Sequence, residues 1–242
     1  MQGEYLAHVD RGKVSTAERL NVGILVVSVV VTALFCWLAV WAAGEGFGWF
    51  TVTIAVVGAA AAAASAVLAH RRRRALGLLV AGDGVALAIS DAGVRLAGAP
   101  LVTWSEVVFV GVADDRARTG RIQRLPLIGP IARTTVRAGS PTLLCELGVR
   151  DGEALRAAFR GAKGSERVTL FDEFDGRRRG LVPLMLDAVL DDASAHQAAG
   201  ILIREAERRG IPARSFDRVF TYISWRGPML DRKWPVEKGA NA

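Results

Sequence analysis

Two uninterrupted apolar runs, Val22–Ala43 and Trp49–Ala69, dominate the hydropathy pattern, and neither contains a charged residue. A helix rises about 1.5 Å per residue, so roughly 20 apolar residues cross a hydrocarbon core of about 30 Å. Each run therefore predicts a membrane-spanning helix. Only Gly44–Gly48 separates them, which predicts a tight helical hairpin over residues 21–69. The first run is rich in Val, Leu and Ile. The second passes through Gly58 and six alanines, Ala59–Ala64. Small side chains let helices approach closely in lipid, so Gly58–Ala66 is expected to face the first helix. Trp37, Trp41, Trp49 and Phe50 gather at the loop end, as interfacial aromatic belts do. A signal peptide is one competing reading, with Val40-Trp41-Ala42 as a passable cleavage site. The run is too long for that, and a second apolar span follows at once. A buried hairpin of a soluble domain is the other, and 22 uncharged residues in a row disfavour it.

Basic residues give the orientation. Arg11, Lys13 and Arg19 precede the first span, and His70 with Arg71, Arg72, Arg73 and Arg74 follow the second, while the connecting loop carries Glu45 and no Lys or Arg. The positive-inside rule places both termini in the cytoplasm of a two-span protein of the cell membrane. Residues 1–20 then form a cytoplasmic N-terminal segment. The loop is too short to be a domain, so function is expected in the membrane or in the cytoplasm.

Beyond the arginines the hydrophobic period shortens. Val85–Ile89 and Val94–Leu96 flank Ser90-Asp91-Ala92-Gly93, a hairpin signal. Leu101–Val110 alternates in part and is rich in β-branched residues, which predicts one strand. Arg133–Arg137 and Thr142–Val149 read as a further pair around Ala138-Gly139-Ser140-Pro141, and Arg167–Phe171 as another strand. Together these predict an antiparallel meander. The second half reads as helical. Gly152–Arg160 predicts a short helix on Leu155 and Phe159. Leu181–Leu190 is apolar on nearly all sides and predicts a buried helix, with Pro183 tolerated in its first turn. Ser194 to Gln197 matches a capping box, and Arg208, Arg209, Gly210 and Pro212 mark a clean end. Two helices, roughly 180–191 and 195–209, are expected. The fold class is mixed α/β of the α+β type: a transmembrane hairpin, then an antiparallel-sheet domain over 75–210 with C-terminal helices, then a tail over 211–242. Trp225, Trp234, Pro228 and Pro235 lie in that tail, which is expected to dock in part.

Two spans followed by a strand, an Asp-x-Gly-Val turn, a second strand and a Trp-Ser-Glu-Val strand resemble the bacterial membrane proteins that carry a pleckstrin-homology-like (PH-like) domain. The matching residues are Asp91, Gly93, Val94, Trp104, Ser105, Glu106 and Val107, and the resemblance covers residues 20–175. It implies a bent antiparallel sheet closed by a helix. It implies no established activity and no catalytic residues.

Composition narrows the chemistry. The chain has 27 Arg against 4 Lys, a bias typical of a GC-rich bacterial genome, and from His70 onward 28 basic residues face 20 acidic ones. A domain of net +8 tethered to an anionic leaflet is drawn to it. No helix-turn-helix or aromatic–basic motif points to nucleic acid. The two cysteines, Cys36 and Cys145, fall on opposite sides of the span boundary and are not expected to pair, and His8, His70 and His196 have no metal-ligand spacing. No cofactor and no metal are expected.

Three constellations remain. Arg116, Arg118, Arg121, Arg124 and Arg133 flank the apolar, proline-bracketed Leu125–Ile131 with no acid among them. With Arg71–Arg74 they are a candidate contact for anionic lipid, at roughly 1 kcal/mol per basic residue near such a surface. The competing reading is a strand connection whose apolar residues cover the core. Trp104 and Glu106, two apart in a strand, are a candidate recognition face, against a structural reading in which Trp104 plugs the sheet and Glu106 pairs with an arginine. Asp172, Glu173, Asp175, Asp187, Asp191 and Asp192 form an acidic district that can bind a divalent cation or do acid/base work. It lacks a histidine, a phosphate loop or a nucleophile, and Arg177–Arg179 stand beside it. His196 is expected at the surface. The reading is a non-enzymatic membrane protein with an interaction or scaffold module and a protein partner. The alternative is a membrane-associated enzyme using Asp172–Asp192. Transport is disfavoured because the spans hold no charge.

The orientation has a direct check. Single cysteines at Gly46 and Gly152 should label differently with an impermeant thiol reagent on intact cells, Gly46 reacting and Gly152 protected; the opposite pattern overturns it.

Overall fold

The computed structural model describes residues 4–80, 84–97, 99–126, 128–159 and 165–234. Leu127, Arg160, Pro235 and the end of the expected tail lie outside the described residues. Two helices form the hairpin, α1 (Arg11–Gly44) and α2 (Trp49–Val80). Among the described residues they are the two helices long and apolar enough to cross a membrane. Gly58 is set against α1, where an added Cβ would come within 2.8 Å of the Phe35 ring. Ala55 and Ala69 are buried on the same α2 face, with Ala62 and Ala66 half-buried between them. The small-residue stripe is thus the packed face, and the outward face carries exposed Val, Leu and Trp side chains.

Both helices outrun their apolar stretches. At 34 residues α1 is about 51 Å long. Its first three turns leave the apolar zone and bury Val14, Ala17 and Asn21, spaced three and four apart on one face. Asp10 caps α1 by accepting from the Lys13 backbone N at 3.0 Å, while its own N–H bonds Val189 O at 2.8 Å. Buried Asn21 donates from Nδ2 to Ala138 O at 2.6 Å. Arg71–Arg74 lie inside α2 rather than after it. Two residues on, Leu76 is fully buried against Gly139, whose φ of +91° favours glycine.

Among the described residues nine strands make two sheets. The first is antiparallel, in the order β1-β2-β3-β4, from Tyr5–His8, Val85–Ile89, Gly93–Leu96 and Leu101–Thr103. Its edge strand β1 comes from before the hairpin and pairs Tyr5 with Ile89 and Leu6 with Ala88. At the β2–β3 turn a Cβ on Gly93 would strike the Val102 carbonyl oxygen, so no other residue fits. The second sheet runs β7-β8-β6-β5-β9, from Thr169–Phe174, Arg177–Pro183, Leu143–Val149, Val107–Asp114 and Ala213–Phe216. It is antiparallel except for β9, which pairs parallel to β5.

Helices cover both faces of that sheet. Helices α3 (Arg116–Gln123) and α4 (Gly129–Arg137) join β5 to β6, and α5 (Gly152–Ala158) follows β6. The four-residue α6 (Leu186–Val189) leads into α7 (Asp192–Arg208), and α8 (Val219–Leu230) ends the fold. Alternation along β5 divides the core. Val110 and Val112 join the main cluster with the first sheet, α7 and the base of α1, whereas Phe109 and Ala113 face α8.

The α+β class with two long apolar helices stands, and several finer expectations do not. Leu101–Val110 is broken by a single 3-10 turn at Trp104–Glu106. Arg133–Arg137 is helical, with Pro130 in the first turn and the Thr134 and Thr135 hydroxyls donating to the carbonyls four residues back. Leu181–Leu190 is the end of β8 followed by α6, because Leu181, Val182 and Pro183 pair with β6 and Leu181 also pairs with β7. Short apolar runs do not distinguish a buried strand from a buried helix. The cap of α7 is Asp191, which accepts from Ser194 N at 2.9 Å, so the helix begins three residues earlier than the capping box suggested. Residues 211–234, within the expected partly docked tail, form β9, α8 and the Trp234 turn, with Trp225 in an aromatic cluster with Phe109, Phe216 and Tyr222.

The β1 clamp is testable. Ala7 is 4% exposed. Ala7→Asp would bury an uncompensated carboxylate, costing about 3 kcal/mol. Limited proteolysis of the full chain in detergent should then cut within the first ten or so residues while α1–α2 stays intact; a protection pattern like the wild type would show that β1 is dispensable.

Candidate functional site at the hairpin–domain junction

Helical rise locates the junction. Ile24 to Ala43 and Trp49 to Leu68 each cover about 29 Å, roughly one hydrocarbon thickness. Ile24 and Leu68 therefore mark the domain-side limit of the apolar zone. Helix α4 sits at that level: Pro130, Ile131, Thr134 and Thr135 line a groove with Ile24, Ser65, Leu68 and Arg72. Its Ile131 is 68% exposed, and Ile128 just before it is 55% exposed. The segment expected to be a loop is thus a pair of short helices carrying unpartnered apolar side chains beside the spans.

The candidate arginines divide into groups. Arg118, Arg121 and Arg124 are exposed on α3 and its C-cap. Arg72 faces the α4 groove, whereas Arg71 and Arg74 turn to the other side of α2, where Arg74 pairs with Glu166 at 3.0 Å. Arg116 is drawn into the domain instead. Its backbone N donates to Asp114 Oδ1 at 3.1 Å and its Nη1 to His196 Nδ1 at 3.0 Å, while His196 Nε2 donates to Asp114 Oδ2 at 3.1 Å. His196 is exposed as expected but holds α7 to the end of β5. On the same first turn of α7, Asp192 accepts from Lys13 Nζ at 3.1 Å and so ties α7 to the base of α1.

These carboxylates sit below their usual range. Burial pushes Asp114 up, but the hydrogen bonds from the His196 side chain and the Arg116 backbone, with the Arg116 charge, outweigh it. For Asp192 the Lys13 hydrogen bond leads, against a smaller burial effect.

The recognition pair separates. Trp104 is buried, donates from Nε1 to Ser90 O at 2.9 Å and is capped by the Arg209 guanidinium 4.6 Å above its ring. Glu106 lies on the same 3-10 turn at the surface, 3.9 Å from Arg177. A strand face does not unite them.

The acidic district is likewise distributed among separate jobs. Asp172 accepts from Arg232 N at 3.0 Å. Asp175 and Gly176, both at positive φ, turn the β7–β8 hairpin in the pairing that Asp-Gly favours. Buried Asp187 holds the Thr142 and Leu143 backbone N–H groups at 2.5 and 2.8 Å. Asp191 caps α7. Among the described residues no three His, Cys, Asp or Glu side chains are grouped to hold a metal ion. Sequence reasoning missed a buried polar group, in which the Tyr222 hydroxyl donates to Glu146 and Arg226 Nε lies 3.4 Å from the same carboxylate. Burial and Glu146 push the Tyr222 phenol up, so it stays protonated. No signal short of knowing that α8 packs over β5, next to β6, would have joined residues 76 apart.

Comparison with protein-family models, with curated proteins and with solved structures returns no match.

The Asp114 and Asp192 contacts predict an acid limb. Their folded values are depressed, so the stability they give is complete above about pH 4 and is lost as pH falls through the lower folded values. The stability gap between wild type and Asp114→Asn, read by thermal unfolding in detergent, should be open at about pH 6 and close below about pH 3. A gap independent of pH would remove Asp114 from the junction.

Proposed function

We propose that this chain is a two-span membrane protein whose cytoplasmic α+β unit is a PH-like interaction or scaffold module, non-enzymatic and held against anionic lipid. The single observation that carries the reading is the position of α4. Its exposed Ile128 and Ile131 flank a groove shared with Ile24 and Leu68, at the limit of the apolar zone. Apolar side chains exposed there meet acyl chains and headgroups rather than water, and the α3 arginines next to them suit phosphate.

The placement of β1 supports the topology. A strand before α1 and a strand after α2 share one sheet, so the two ends of the hairpin lie on one side. The basic residues flanking the spans make that side the cytoplasm. The PH-like reading rests on the β2–β3–β4 meander, the Asp91–Gly93 turn and the plug made by Trp104. It extends the usual pattern with a strand borrowed from the N-terminus and a parallel β9. Binding of a protein partner by the module is part of the same proposal.

A depth measurement tests it. An environment-sensitive fluorophore on Ile131→Cys, in a Cys36→Ser background where Cys145 is buried, reports the α4 surface in proteoliposomes of full-length protein. Emission should be blue-shifted and quenched by brominated lipid. Changing Arg118, Arg121 and Arg124 together to Glu should reverse the shift in vesicles rich in phosphatidylglycerol. Water-like emission in every lipid would refute the contact.

A further inference from the structure

On the side of the hairpin away from α4 lies a cavity of about 720 Å³. Successive helical residues turn by about 100°, so Ala66, Val67, His70 and Arg71 face nearly opposite to Ser65, Leu68 and Arg72. The cavity is two-toned along the hairpin axis. Leu25, Ala66 and Val67 line it at the limit of the apolar zone, and His70, Arg71 and Arg74 line it one to two turns deeper toward the domain. Its domain wall is supplied by the segment entering β7, with Glu166, Arg167 and Thr169.

Arg167 is held within that wall. Its Nη1 donates to Ala97 O at 2.5 Å and its guanidinium lies 5.6 Å from the Phe159 ring centroid, so the group is positioned. Its Nη2 is shielded from solvent and has no hydrogen-bond partner among the described residues. Burial pushes this guanidinium down from its ordinary value with no carboxylate offsetting it. Glu166, the acid among the described lining residues, is taken by Arg74. A cavity with apolar walls level with acyl chains and an excess of fixed positive charge level with headgroups matches an amphiphile carrying a phosphate.

We infer that this cavity binds one anionic phospholipid, with an acyl chain along Leu25, Ala66 and Val67 and the phosphate at Arg71, beside His70 and Arg74. The inference rests on the membrane-spanning reading and is separate from the α4 contact. A bound lipid bridges α2 to the strand β7 and so fixes the domain against the hairpin at a second point.

Native mass spectrometry of the full chain in mild detergent, with phosphatidylglycerol or phosphatidylcholine added, tests it. One phosphatidylglycerol should be retained per chain, with at least about tenfold preference over phosphatidylcholine, and Arg71→Gln should weaken retention about tenfold, as loss of a charge-assisted hydrogen bond does. Val67→Trp, which fills the apolar part from an exposed position, should abolish retention without touching a charge. The Arg118, Arg121 and Arg124 triple change to Glu should leave retention intact, which separates this site from the α4 contact. Equal retention of both lipids, or retention unchanged by Val67→Trp, overturns the proposal. Displacement by inorganic phosphate assigns the site to a soluble anion and overturns it as a lipid site. A chain that stays monodisperse without detergent defeats the membrane reading itself.

Discussion

The pairing of β1 with β2 is the constraint on which the rest of the molecule depends. Tyr5–His8 and Val85–Ile89 are separated in sequence by the whole hairpin, yet they are hydrogen-bonded neighbours. Closing so long a loop is entropically unfavourable, though the cost rises only slowly with length. The hairpin reduces it further, because two antiparallel helices of similar length return the chain to its starting level. In exchange, the sheet acquires an edge strand, and the base of α1 is forced against the core. Val14 and Ala17 then share a cluster with Leu87 of the first sheet, Leu147 of the second and Leu202 of α7. The helices and the sheets are therefore one packed unit, not a module on a flexible tether.

That rigidity gives the junction its meaning. Were the domain free to swing, exposed isoleucines on α4 would be a surface liability. Held as they are by Asn21 on Ala138 and by Leu76 on Gly139, α4 and the spans keep a fixed register. The polar contacts that do this are of unequal worth. The Lys13–Asp192 pair is largely exposed and contributes little by itself. The buried Asn21 and Asp187 contacts matter more, since breaking either leaves a backbone or carboxylate group unsatisfied out of reach of water.

Some of this architecture was legible in the residues. A run of about 20 uncharged apolar positions has few outlets, so the two helices followed from length alone. The Asp91–Gly93 turn was legible because only glycine tolerates the approach of the Val102 carbonyl. The failures share a cause. Leu181–Leu190 and Arg133–Arg137 carry too few residues to show a period, and what decided them was pairing with β6 and β7 in one case and an i−4 threonine ladder behind Pro130 in the other. The Asp175–Gly176 hairpin was written in the sequence and was obscured by reading Asp175 as one of a group of acids. As for the junction, the arginines and isoleucines were visible as a pattern, but Arg116 joining His196 and Arg167 facing the cavity depend on contacts across 80 and nearly 100 residues.

The distribution of charge completes the argument. The acids are largely spent inside the domain: Asp187 and Asp191 on backbone N–H groups, Glu146 on Tyr222 and Arg226, Glu205 on Arg208 and Arg209, and Asp114 on His196 and Arg116. Arg118, Arg121 and Arg124 on α3 and its C-cap, by contrast, stay exposed beside the end of the hairpin. A net charge spread evenly would keep the domain soluble and little more. Placed beside the end of an apolar hairpin, the same charge would act on an anionic surface there as a directed attraction. It acts within about 8 Å at physiological ionic strength, so only the residues at the junction contribute appreciably. The partnered carboxylates hold the fold together, and the exposed α3 arginines they leave unpaired stand beside the end of the hairpin.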